Sequence, residues 1–304
     1  MENIKRYNDL SSYLKNKFGQ RVLKICIDGN FTCPNRDGKI STDGCIFCSE
    51  KGSGEHLTST DIQTQVLEYF KSYKSNRANK FIVYFQNFTN TYDTLGNLKK
   101  KYNSALIDER IIGLSVATRP DCITEDICKL LSSYSEKYYV SVELGLQTAN
   151  NHIGQIINRG YSTEDFIKAV KLLNKYHIDI ITHIMIGLPF ETLETINETI
   201  ALINSVDIQG LKIHSTYVVK NTKLASMFFE KTYIPITLEY YLEQVTYIPS
   251  HINPNIVIHL CDAKVDETFL ECVDFSDFDY VADCIDDVKG KLAIIKKAKD
   301  NNVK

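Results

Sequence analysis

Six times between residues 22 and 229 the chain passes from a short β-rich run into a segment of helical period. Strands are expected at Val22–Asp28, Lys80–Gln86, Ile111–Ala117, Tyr139–Leu146, Ile178–Ile186 and Leu211–Val219. Helices are expected at Asp61–Tyr73, Leu95–Ile107, Thr124–Ser133, Thr163–Tyr176, Thr192–Ile203 and, shorter, Leu224–Phe229. Ile62, Val66, Leu67 and Phe70 give the first helix its apolar stripe, behind an N-cap at Thr60 or Asp61. Units of this kind, repeated every ~30–40 residues, build a parallel sheet through right-handed crossovers. Six units fall two short of a closed eightfold barrel. The expected fold is therefore α/β, an open and partial (β/α)6 TIM-like barrel whose chemistry lies at the carboxyl ends of its strands. Residues 1–20 are expected to form a helical lead-in, 21–230 the barrel, and 231–304 a helical C-terminal extension with one strand at Ile256–Leu260.

A chain of 304 residues, 43% apolar and 24% charged, can bury a sizeable core without covalent staples. No apolar run approaches the ~20 residues of a spanning helix, so no membrane association is expected. The start, MENIKRYNDL, lacks the apolar stretch of a signal peptide, and a cytoplasmic location is expected. In a reducing compartment, nine cysteines read as thiols or metal ligands rather than disulfides. Charge is uneven. Residues 1–120 carry 18 Lys and Arg against 12 Asp and Glu, whereas 121–304 carry 17 against 26. The basic first part is compatible with a polyanion. The stretch 262–288, with ten acids and one lysine, is not a nucleic-acid face.

After the first strand comes GNFTCPNRDGKISTDGCIFCSEKGSG, which places Cys33, Cys45 and Cys48 in a C-x11-C-x2-C spacing. Gly29, Gly38, Gly44, Gly52, Gly54 and Pro34 make this an irregular loop able to wrap a compact object. Structural zinc takes four closed ligands. Three thiolates, with no histidine before His56, suit an iron–sulfur cubane with one open iron. Three unrelated loop thiols are the alternative. Cys26 is expected in the core, and Cys122 and Cys128 have no assigned role. Cys261, Cys272 and Cys284 lack any C-x2-C pair to anchor a second cluster.

The Cys45-Ile46-Phe47-Cys48 element resembles the hallmark of radical S-adenosylmethionine (SAM) enzymes. Its long first gap resembles the branch that contains the catalytic subunit of Elongator. The ordered set RYNDLSSYLKNKFGQRV, CPNRDG…GCIFC, YFQNFTNTY, TRPDCI, VELGLQT, INRGY, IGLPFET and KIHSTYVVKNTKLA is similar to the YhcC/YtqA-type family over nearly the whole length, fading after about residue 260. That family usually ends in a basic segment bearing Pro and Trp. Here the corresponding stretch is acidic, and the chain has no Trp.

The resemblance implies a [4Fe–4S] cluster on Cys33, Cys45 and Cys48, with SAM on the open iron. It implies reductive cleavage of SAM to methionine and a 5′-deoxyadenosyl radical. A low-potential electron donor such as flavodoxin or ferredoxin follows from the same chemistry. The likeness to Elongator implies a tRNA substrate altered on a wobble-uridine side chain. A small-molecule substrate, a cofactor-carrying chaperone and a zinc scaffold stay open as alternatives.

The resemblance also assigns residues. Gln86 and Asn87 stand where many relatives carry a Gly-Gly-Glu or Gly-Gly-Thr turn that meets the SAM amino group. Pro120 ends its strand and leaves Arg119 at the rim, placed to fork onto the SAM carboxylate or a phosphate, with a turn ion pair to Asp121 as the alternative. Strand alternation puts Glu143, Gly145 and Gln147 on one face. Glu143 is expected to meet an arginine or a ribose hydroxyl, with an ion pair to Arg119 or Lys212 as the alternative. Gly187 lets backbone approach the adenine. Lys212 and His214 share a face of the last barrel strand and are the catalytic candidates on the substrate side. His183, Arg159, Tyr217 and Lys220 are further polar candidates near the mouth.

Overall fold

The computed structural model of the protein describes residues 7–50, 52 and 61–260. Strands and helices alternate as β1 (Asn8–Asp9), α1 (Leu10–Phe18), β2 (Val22–Ile27), α2 (Ile62–Lys71), β3 (Lys80–Phe85), α3 (Leu95–Ala105), β4 (Ile111–Thr118) and α4 (Glu125–Tyr134). They continue as β5 (Tyr139–Gln147), α5 (Asn151–Ile156), α6 (Thr163–Lys175), β6 (Asp179–Ile186), α7 (Leu193–Ser205), β7 (Gly210–Ser215), α8 (Lys223–Phe229), α9 (Leu238–His251) and β8 (Val257–Leu260). The strands form one sheet in the order β1-β8-β7-β6-β5-β4-β3-β2. Every neighbouring pair is parallel.

The six expected β–α units are β2 through α8, and the partial barrel holds. Two strands extend it. The strand expected at Ile256–Leu260 joins the main sheet beside β7, and β1 pairs with β8. The sheet is curled. Neighbouring strands lie ~4.8 Å apart, so in a flat sheet β2 and β5 would be ~14 Å apart. Yet Lys24 of β2 bonds Glu143 of β5, and Lys212 of β7 sits over the Tyr84 ring of β3 at 5.2 Å. β7 ends at Ser215, short of the expected Val219, because β6 ends opposite it at Ile186.

The two faces of the sheet differ in chemistry. The convex face carries Ile25, Val83, Leu114, Val142, Ile184 and Ile213, all buried under helices. Each such side chain contributes ~1.5–3 kcal/mol by leaving water. The helices begin where side chains cap them. Asp61, Thr94 and Thr124 accept from the third residue on, and Ser162 forms a capping box with Asp165. The concave face is polar. Its amino-terminal end is closed by α1, whose Leu10, Tyr13 and Leu14 leave a cavity of about 10 Å³ above them. That is room for about one water. The lumen therefore opens at the carboxyl ends of the strands. No helix of the described residues is long and apolar enough to cross a membrane.

Candidate active site

The cysteine loop leaves β2 and is stitched to the segment between α5 and α6. Arg36 and Asp37 donate their backbone N–H groups to the Cys33 carbonyl at 2.8 and 3.1 Å. Asn35, fully buried, donates to the Asn158 carbonyl at 2.7 Å and to Cys45 Sγ at 3.7 Å. Asn158 returns a bond to the Gly44 carbonyl. Gly44 has φ 71°, and a Cβ there would lie 2.9 Å from Arg36 Nε, so only glycine fits. Ile46 is held on both sides, donating to Ile157 and accepting from Leu224. Arg36 bonds the Cys48 carbonyl. Asn35, Arg36 and Asn158 were not singled out by the sequence reading. Asn35 and Asn158 act through contacts across more than a hundred residues, which no local pattern carries, and Arg36 reaches Cys48 within the irregular loop itself.

Two of the three thiols are shifted by their surroundings. Burial first, then the nearby Cys48 and Cys33, push the Cys45 thiol up to about 12, with Arg119 opposing. Burial raises Cys48 too, with Arg36 opposing and Cys33 adding to the rise. A bound cationic centre reverses that balance. Among the described residues no three His, Cys, Asp or Glu side chains converge on a single ion. The described residues thus supply no closed shell for mononuclear zinc. A groove of about 640 Å³ runs beside the loop, lined by Pro34, Lys39, Tyr92, Asp93, Asp121 and Cys122. Cys261, Cys272 and Cys284 lie outside the described residues.

At the end of β3, Asn87 is 2% exposed and donates to Asp28 at 2.9 Å. Its Oδ1 has no partner, nor have Thr89 Oγ1, Asn90 Oδ1 and Asn35 Oδ1. An unpartnered buried polar atom costs ~1–3 kcal/mol, and Asn87, Thr89 and Asn90 put three of them on the one turn after β3. Gln86 sits one residue earlier, its N–H on the Ile27 carbonyl.

Arg119 forks onto Asp121 at 2.9 and 2.8 Å, donates to the Arg159 carbonyl and stacks on Tyr161. The Asp121 ion pair, the alternative expected for Arg119, is present. Arg159, 1% exposed, donates to the carbonyls of Leu146, Thr148 and Tyr161. It knits backbone rather than lining the mouth. Gln147 departs from simple alternation. A bulge between Gly145 and Gln147 gives Gln147 φ 62°, and its side chain folds over Gly145 to meet the Tyr161 hydroxyl. Gly187, at φ 84°, turns the chain after β6. Its N–H is bonded by Glu191 and its carbonyl by Tyr233, and Ile236 covers it. Burial raises Glu191 to about 7, against the backbone N–H groups of Gly187 and Leu188.

The lumen holds a charged cluster. Glu143, 1% exposed, meets Lys24, His183 at 2.7 Å and Lys212 at 3.5 Å, and accepts from Ser115. The expected arginine contact is replaced by Lys212, the stated alternative, together with Lys24. Burial alone would raise the Glu143 carboxyl. Lys24, Lys212 and the His183 hydrogen bond outweigh it and hold the group well below the usual carboxylate range. His214 Nε2 lies 3.1 Å from His183 Nδ1. Lys24 was missed, although a lysine between apolar neighbours in VLKICI was a readable signal. Cys26, expected in the core, instead opens to solvent on this concave face, with Lys212 and Lys24 nearby. Alternation from Ile25 and Ile27, both buried, puts it there.

Residues 33–203 match the model of the radical SAM superfamily. The chain is a radical SAM protein. Residues 208–270 match the radical SAM C-terminal domain. The chain is 34% identical to YtqA of Bacillus subtilis over 258 residues, covering 84% of itself and 80% of that protein. It is 30% identical over 147 residues to a tRNA uridine(34) acetyltransferase of Methanocaldococcus jannaschii, covering 47% of itself but 26% of that protein. An Elp3 structure from Methanocaldococcus infernus superposes with TM-score 0.63 at 18% identity, covering 93% of this chain. The chain spans 64% of that structure. The superfamily's cofactors are a [4Fe–4S] cluster and SAM.

The residues present fit both cofactors. Three thiols on one loop, with no closed ligand shell among the described residues, suit a cluster with one open iron, and the unpartnered side-chain oxygens after β3 suit a polar ligand.

Proposed function

We propose that this radical SAM enzyme alters a wobble-uridine side chain in tRNA. Cys33, Cys45 and Cys48 hold the cluster in this reading. When bound, the reduced cluster and SAM supply a 5′-deoxyadenosyl radical for hydrogen abstraction. The chain's own residues bind, orient and exclude water. Asn87, with Gln86 and the neighbouring Thr89 and Asn90, takes the polar head of SAM. Gly187 and Gln147, each at a positive φ at a strand's carboxyl end, shape the rim around it. Arg119 and Glu143 act at one remove, Arg119 by fixing the Asp121 turn and Glu143 by fixing the lumen cluster. α1 shuts water out from below. Lys212 and His214 face the substrate, which enters from the mouth. A low-potential one-electron donor completes the cycle.

The observation that carries the radical chemistry is the three-thiol loop within a superfamily match. The tRNA substrate rests on the similarity to the uridine(34) acetyltransferase. Nucleoside mass spectrometry of tRNA from cells lacking the protein tests it. Loss of one modified wobble uridine is the expected result, and an unchanged profile removes the tRNA substrate. Binding to total tRNA should also weaken steeply with added salt, as phosphate contacts release counterions.

A further inference from the structure

The three most exposed large apolar side chains among the described residues are Ile234 at 81%, Phe229 at 78% and Phe190 at 68%. They stand on one rim. Tyr233, the residue before Ile234, donates its hydroxyl to the Gly187 carbonyl at 2.7 Å, and Ile236 covers Gly187. Phe190 lies three residues beyond Gly187. Phe229 ends α8, where it meets Phe228 edge to face with ring centroids 5.6 Å apart. The other end of α8 is bound to the cysteine loop, since Leu224 donates to the Ile46 carbonyl at 2.9 Å. The segment from β7 to α9 therefore reaches from the cysteine loop to the Gly187 turn, at the open end of the barrel. It follows directly on the strand that bears Lys212 and His214.

A single exposed apolar side chain needs no explanation, but three on one rim mark a binding surface. Phe190 adds a conformational argument. Its φ of 63° is a left-handed value that aromatic residues avoid, and its ring stays in water. The same segment is basic. Residues 216–236 carry Lys220, Lys223 and Lys231 against one acid, Glu230. All three lysines are exposed, and none forms an ion pair among the described residues. Apolar side chains interleaved with ammonium groups match a single-stranded nucleic acid, whose bases offer flat faces and whose phosphates offer charge. A duplex keeps its base faces covered. A second copy of this chain would set lysines against lysines.

We propose that this rim docks an unpaired RNA loop, with Phe190, Phe229 and Ile234 receiving splayed bases and Lys220, Lys223 and Lys231 taking the phosphates between them. The inference deepens the tRNA reading and rests on it for the presence of RNA. It states how one base reaches the lumen. Chemistry on a base requires that base out of the stack, and rim contacts with its neighbours hold the loop open while it enters. The altered nucleotide therefore lies within an unpaired stretch. The platform specifies no base sequence, because every base has a face to stack.

Fluorescence anisotropy of the full chain with a labelled RNA hairpin, and with a fully paired RNA duplex, tests the platform without cofactor. The hairpin should bind more tightly than the duplex. Phe229→Ala and Phe190→Ala should each weaken hairpin binding about tenfold and leave duplex binding alone. The triple variant Lys220→Ala, Lys223→Ala, Lys231→Ala should lower the slope of log affinity against log salt by about 2. All five side chains are exposed, so thermal unfolding should be unchanged in each variant. Equal affinity for hairpin and duplex, or hairpin affinities that none of these substitutions alters, overturns the platform. So does a dimer in sedimentation that Phe229→Ala dissolves while no hairpin binds. An unchanged nucleoside profile in cells lacking the protein would remove the tRNA substrate and leave these affinities as they are. A changed profile with unaltered variant affinities would remove the platform alone.

Discussion

Glu143 is the residue on which the concave face depends. It is a single carboxylate set among Lys24, Lys212 and His183, with both lysine side chains largely shielded from water. Removing one partner of a buried ion cluster costs far more than the cluster contributes net, because the remaining charges lose their solvation twice over. Glu143→Ala should lower stability by about 3 kcal/mol in urea unfolding. A loss under about 0.5 kcal/mol would mean that the lysines reach water and the cluster is solvated. At this scale the sequence located Glu143, Lys212 and His214 by alternation within their strands. It did not pair Glu143 with Lys24, because curl brings together strands that the linear pattern leaves three places apart.

Among the elements, the six long strands and their helices were legible because each carries either a continuous apolar run or a helical stripe. β1, of two residues, and α5, of six, are too short to show a period, and neither was foreseen. The bulge at Gly145–Gln147 was invisible for a different reason, since nothing in VELGLQT marks a register shift. Local rules still set the strength of single elements. Ser162→Ala removes one half of the capping box of α6 and should cost about 1 kcal/mol by thermal or urea unfolding. A change within error would show that α6 is held by packing alone. Gly113 poses a steric limit, because a Cβ there would lie 2.9 Å from the Tyr139 carbonyl on β5. Gly113→Ala should destabilise by ~1–3 kcal/mol, since backbone cannot yield as a flexible side chain can. Wild-type stability in that variant would mean that β4 and β5 can part without loss.

The whole molecule should be acid-sensitive in a defined window. Burial keeps His183, His214 and His259 neutral in the fold, with pKa values below the ordinary one. Below about 6.5 the unfolded chain takes up these protons and the folded chain does not, so stability falls as pH drops. Glu191 works the other way. Its folded pKa of about 7 lies above the unfolded value, so between about 4.3 and 7 the folded chain holds the extra proton. Three histidines opposed by one carboxyl leave stability falling as pH drops from 6 to 5. Glu191→Gln should steepen that fall. A flat profile across that window would show that the histidines are protonated in the fold.

At the same scale, a sheet sealed beneath by α1 and open above leaves one end for chemistry, and the cysteine loop stands at that end. Anaerobic reconstitution with iron and sulfide, followed by iron analysis and electron paramagnetic resonance, addresses that arrangement most directly. The wild type should take up about four irons per chain, and SAM should perturb the reduced-cluster signal through the open iron. Cys45→Ser should abolish both. A colourless, iron-free protein, or a cluster whose signal ignores SAM, would contradict the account.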